Sequence, residues 1–142
     1  MDLAEQQYQR DIARIEAHKL ALKDDEFGRL VEQVRQEVRA HTRYHQQRGA
    51  AITLNDRDPR VIYVSTADGQ QIATITFNAV RLEVEVKKTG GTLPLSYSFS
   101  VDTSNDKPII IGTKWKTEPL GVVTDDTVID AVRGSIDALL AT

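Results

Sequence analysis

The sequence predicts an α+β fold: two N-terminal helices, an antiparallel β-meander of about five strands, and a C-terminal helix packed on the apolar face of the sheet. Three observations predict it. Residues 2–48 contain no proline and a single glycine, Gly28, and are rich in Ala, Gln, Glu, Arg and Leu, which favour helix. From Arg60 onward apolar and polar residues alternate, the period of a half-buried strand. From Val128 the apolar spacing returns to that of a helix. One domain is expected over residues 1–142, with a helical region at 1–48, a sheet at 51–117 and a helix at 124–141.

The two N-terminal helices are expected to join at Lys23-Asp24-Asp25. Asp24 or Asp25 can cap the second helix, and Glu26 suits its positive end. In the first helix Tyr8, Ile12, Ile15 and Leu22 recur at near-heptad spacing, with Lys19 in one slot. Such a narrow stripe suits helix pairing better than a broad core. In the second helix Phe27, Val31, Val34 and Val38 form the apolar stripe, and Leu30 widens it. The same steps continue to His41 and His45, and Gly49 suits the residue that ends a helix in the left-handed conformation.

The strands follow from parity. Gly90-Gly91 reads as a two-residue hairpin turn. It would set Val86 opposite Leu95, Val84 opposite Tyr97, Leu82 opposite Phe99 and Val80 opposite Val101. A turn at Asn78-Ala79 would set Ile75 beside Leu82 and Ala73 beside Val84. A turn at Asp68-Gly69 sets Val64 beside Ala73 and Ile62 beside Ile75. Ile109–Trp115 adds a fifth strand after the turn-like Ser104–Pro108, and Ala51–Leu54 is a candidate short extra strand. Thr124 is the expected N-cap of the last helix, whose apolar face is Val128, Ile129, Val132, Ile136, Leu139 and Leu140. That helix and the second N-terminal helix together should cover the sheet.

Composition narrows function. Hydrophobic residues at 40% and charged residues at 27% are globular values, so disorder is not expected. With no cysteine, disulfides and thiolate chemistry are excluded. The N-terminal residues lack a signal-peptide or transit pattern and no apolar run is long enough for a span, which points to a cytoplasmic protein. Residues 1–50 carry nine basic and nine acidic residues, and residues 51–142 carry nine and twelve. Neither part has the positive excess usual in phosphate-gripping proteins.

His41 and His45 sit four apart, a spacing that can hold a metal, but a closed site needs a third and usually a fourth ligand. Their place on the apolar stripe makes them packing residues where the helix ends against the sheet, and no metal or cofactor is expected. His18 lies in the other helix, and Asp56 and Asp58 read as a solvated turn. Arg35, Arg39 and Arg43 form a second stripe, a candidate anion or nucleic-acid patch. The polar sheet face carries one outward aromatic, Tyr63, too few for a base-stacking platform. Trp115 is expected to pack. No catalytic motif is present, so no enzyme is expected.

The leading expectation is a non-enzymatic protein-protein interaction or assembly module. It would self-associate or bind a protein partner through Tyr8, Ile12, Ile15 and Leu22. The alternatives are nucleic-acid binding through the arginine stripe and open sheet face, and a small apolar ligand held between sheet and C-terminal helix. Small inward residues, Ala73 and Gly112, suit either a cavity or close packing.

Overall fold

A computed structural model describes residues 2–92 and 94–141. Its element order is α1 (Leu3–Gln47), β1 (Ile52–Asn55), β2 (Val61–Thr66), β3 (Ile72–Asn78), β4 (Glu83–Thr89), β5 (Leu95–Ser104), β6 (Lys107–Lys114), β7 (Glu118–Val123) and α2 (Asp125–Asp137). The α+β class holds, with two corrections. The N-terminal region is one 45-residue helix, and the antiparallel sheet has seven strands in the order β1 to β7.

The helix is continuous through Lys23-Asp24-Asp25 for a plain reason. Aspartate costs a helix interior well under about 1 kcal/mol, and both carboxylates face solvent. No proline removes a backbone donor, so the hydrogen-bond ladder runs on. Asp2 caps the start, its Oδ1 accepting from Glu5 N at 2.7 Å. The end is a Schellman motif: Gly49 (φ 88°) donates to Gln46 O, and Ala50 donates to His45 O at 3.0 Å. Gly49 thus stops the helix as expected.

Three adjacent rows of α1, each stepping by four, divide its surroundings. Leu30, Val34, Val38 and Thr42 are fully buried and face the core with Phe27. Arg29, Glu37, His41 and His45 face α2. Arg35 and Arg39 face the β1–β2 connection. The histidines therefore do not prolong the core stripe. It passes through Thr42, because 3.6 residues per turn rotates an i+4 row slowly off a 4-3-4 pattern.

The sheet is a simple meander. The β2–β3 register is the expected one, with Val64 opposite Ala73 and Ile62 opposite Ile75. The next two registers differ. Asn78 Oδ1 accepts from Val80 N and Arg81 N, closing an Asx-type turn that takes Val80 out of the ladder, 95% exposed. Val84 then lies opposite Phe77. β4 and β5 are joined by a connection longer than two residues, so Val86 meets Tyr97 and Val84 meets Phe99. Both slips are even-numbered. Within the paired strands each side chain keeps its face, so the apolar side of the sheet stays intact although Val80 is lost from it.

β1 and β6 occupy the expected segments, whereas β7 has no counterpart among the expected strands. Pro119 and Gly121 hid it. They are tolerated because β7 is an edge strand whose pairing with β6 carries a bulge, with Gly112 opposite Gly121 but Thr113 opposite Pro119. Asn105 and Asp106 take positive φ in the two-residue β5–β6 turn, as the favoured hairpin geometry requires. Trp115 lies in the β6–β7 turn at φ 60° and is 40% exposed, so it is less enclosed than its expected packing role implies.

The core sits between the sheet and the two helices. Val128, Val132 and Ile136 of α2 are fully buried, as are Ile62, Val64, Ile75, Val84, Val86 and Phe99 of the sheet. Thr124 is the N-cap residue of α2, without a side-chain cap hydrogen bond. Gly112 is small because Phe99 lies opposite. A Cβ built there would sit 3.1 Å from two Phe99 ring carbons and 3.3 Å from Leu120 Cδ1.

Gly112→Ala is therefore expected to destabilise the fold by about 1–3 kcal/mol through overpacking. Gly28→Ala, at an exposed helical site with open space for a Cβ, should stabilise it slightly. Urea unfolding of the two variants checks the contrast; equal effects of the same sign would contradict it.

Candidate metal centre

α1 and α2 run parallel, and their contacts keep a constant sequence offset of 96. Arg29 forms a bidentate pair with Asp125, at 2.8 and 2.9 Å, in the first turn of α2. Two turns on, Arg133 Nε donates to Glu37 Oε1 at 2.5 Å. One further turn on, His41 meets Asp137. Each pair is partly exposed and individually weak. Together they lock the helices in register.

The last rung is the chemically distinctive one. His41 Nε2 and His45 Nε2 lie 2.6 and 2.7 Å from the same oxygen, Asp137 Oδ1. An ionised carboxylate only accepts, so both imidazoles donate through Nε2. Both side chains are mostly enclosed, at 15% and 19% exposure, while Asp137 is 53% exposed at the mouth of a groove. Glu37, Ala40, Tyr44 and Arg133 complete the groove wall. Tyr44 stacks parallel to His41 at 5.9 Å and meets His45 edge-on at 5.2 Å, which restrains both rings. Burial raises the Asp137 pKa, but the hydrogen bonds and charges of His41 and His45 outweigh it and hold the carboxyl below its ordinary range.

Local sequence explains how the three converge. Histidines four apart on a helix share a face. The Schellman motif accepts at His45 O and so pins the turn that carries His45. Asp137 is the last residue of α2, placed by the parallel pairing. Neither Asp56 nor Asp58 supplies the third group. Asp56 accepts from Arg39 Nε at 2.8 Å and Asp58 pairs with Arg60, and these partners lower the pKa of each carboxyl. His18 lies about 35 Å away along the same helix, in a groove with Arg14, Ile15 and Asp106. The pairing of His41 and His45 was legible in sequence. Asp137, Glu37 and Arg133 were missed, because nothing local links the two ends of the chain.

The other singled-out residues fall in two places. Arg35 donates to Pro59 O and stacks on Phe77 at 4.7 Å, Arg39 is held by Asp56, and Arg43 is exposed. The arginine stripe is thus partly spent on tying α1 to the β1–β2 connection. Tyr8, Ile12 and Ile15 are 66%, 41% and 52% exposed, and Leu22 is half-buried. Among the described residues, none of α1 before Phe27 is buried. Lys23 Nζ approaches Asp102 at 4.0 Å, and open grooves separate residues 14–23 from Asp102, Thr103 and Asp106 at the β5–β6 hairpin. No helix is long and apolar enough to cross a membrane among the described residues.

In protein freed of metal ions, a carboxyl with a lowered folded-state pKa contributes stability above its unfolded value of about 3.9. That contribution is lost as pH falls through the folded value. The stability gap between the wild type and Asp137→Asn should therefore be full near neutral pH and close below about pH 4, and half-exposure keeps it under about 1 kcal/mol. Chemical denaturation at a series of pH values measures it; a gap that widens on acidification would contradict the assignment.

Compared with known proteins, the chain matches no protein-family model, no curated protein and no solved structure, so its function is argued from its own geometry.

Proposed function

We propose that this chain is a protein-protein assembly module that self-associates through the exposed apolar seam in the N-terminal half of α1. The observation that carries the reading is the exposed seam of Tyr8, Ile12 and Ile15, continued by Leu22, on a helix that outruns its own core. The stretch from Leu3 to Glu26 is about 36 Å long. An isolated helix of that length is marginal in water and gains stability mainly by packing an apolar face. The seam steps by four and three, the repeat of a coiled coil. Lys19 occupies one of its inner slots, and a single basic residue there sets register and copy number at a cost in stability. The rest of this half is mostly charged and polar, with Leu3 and Leu20 exposed off the seam.

A second copy is the occupant we favour, because the seam offers the same repeat to itself and the helix bears nearly balanced charge. The double substitution Ile12→Asp and Ile15→Asp removes the seam without touching a buried residue. Sedimentation should show an oligomer for the intact chain and a monomer for the variant, with unchanged core stability. An intact chain that is monomeric at concentrations well above the micromolar range would reject self-association.

A further inference from the structure

We propose that His41, His45 and Asp137 form a binding site for a divalent first-row transition metal, with Zn2+ the best fit. This is independent of the assembly reading, since the site lies at the opposite end of α1.

The donor set comes first. Among the described residues these three bring one ligand atom each to within 4.8 Å of one another. Two imidazoles and a carboxylate are the three-ligand set of open zinc sites, in which water takes the fourth position. Asp137 at the groove mouth leaves that position facing solvent. Two nitrogen donors disfavour Mg2+ and Ca2+, which require oxygen.

Electrostatics point the same way. Because α1 and α2 run parallel, their C-terminal ends meet, and each carries roughly half a negative charge on its terminal carbonyls. His45 is in the last turn of α1, and Asp137 ends α2. An aspartate at a helix C-terminus is unfavourable unless a positive group neutralises it. The nearby cations are engaged elsewhere: Arg133 pairs with Glu37, and Arg48 lies over the Tyr44 ring at 3.5 Å. The histidines hydrogen-bond the carboxylate directly, and Arg133 adds only a longer-range charge.

The geometric change required lies in the side chains. A tetrahedral ion at about 2.0–2.1 Å from each ligand separates ligand atoms by about 3.3 Å. The present separations from Asp137 Oδ1 are 2.6 and 2.7 Å. Rotation of the half-exposed Asp137 side chain lengthens both distances, and the two imidazoles, with ligand atoms within 4.8 Å of one another, close on the ion from one helix face. Each histidine exchanges its Nε2 proton for the metal, so binding releases protons and weakens in acid.

The test uses untagged full-length protein stripped with a chelator. Zn2+ titration by calorimetry should give one ion per chain, and Co2+ should show the strong visible absorption of low coordination number. His45→Gln and Asp137→Asn should each weaken Zn2+ binding roughly tenfold or more, at least the loss usual for second-shell changes. Circular dichroism verifies that both variants fold, and millimolar Mg2+ should not displace Co2+. Absence of saturable Zn2+ or Co2+ binding by the wild type would overturn the proposal. So would binding that both folded variants retain at full strength.

Discussion

The apolar face of the sheet has to be covered, and everything else in the structure follows from how that is done. A seven-stranded antiparallel meander alternates apolar and polar residues, so one face is as hydrophobic as a core and the other meets water. One helix cannot span such a face. The chain supplies two, one from before the sheet and one from after it. Residues separated by nearly a hundred positions are thereby made neighbours.

Side-by-side placement of two parallel helices is electrostatically awkward, since their dipoles align. The interface answers with charged rungs at an offset of 96, Arg29 with Asp125, Glu37 with Arg133 and His41 with Asp137, and His45 joins the last rung from one turn further on. The first rung places an acidic residue at the positive end of α2, where it is favoured. The last places one at the negative end, where it is not. That asymmetry sets the histidine–aspartate cluster apart from the other rungs: its carboxylate depends on the two histidines rather than on the dipole of its own helix.

The same helix serves two ends. Its C-terminal half is bound into the core by Leu30, Val34 and Val38 and locked to α2. Its N-terminal half has no buried residue among those described and carries a seam narrower than a core face requires. Stability and exposed apolar surface are thus segregated along one continuous element. Ile12 and Ile15 lie outside the buried core, and His45 and Asp137 lie outside the seam.

Much of this was readable from residue order alone. Alternation determined β2 to β5 and which of their side chains face inward, though it left open the register of the isoleucine-rich β6; helical periodicity determined α2 and the core stripe of α1. These properties are local, set by backbone geometry within a few residues. Registers at two hairpins were misassigned because a side-chain cap at Asn78 and a longer loop after Thr89 reset the turn length, yet parity survived. The count of N-terminal helices was misjudged because two aspartates in a solvent-facing turn cost too little to break a helix. β7 escaped notice because an edge strand tolerates the proline and glycine that an inner strand would not. What only the tertiary structure decided was the meeting of α1 with α2. The His41–His45 pair was written in the sequence, but its third partner, Asp137, is local to neither. It is placed by the burial of a sheet face that both helices share, and no spacing along the chain encodes that.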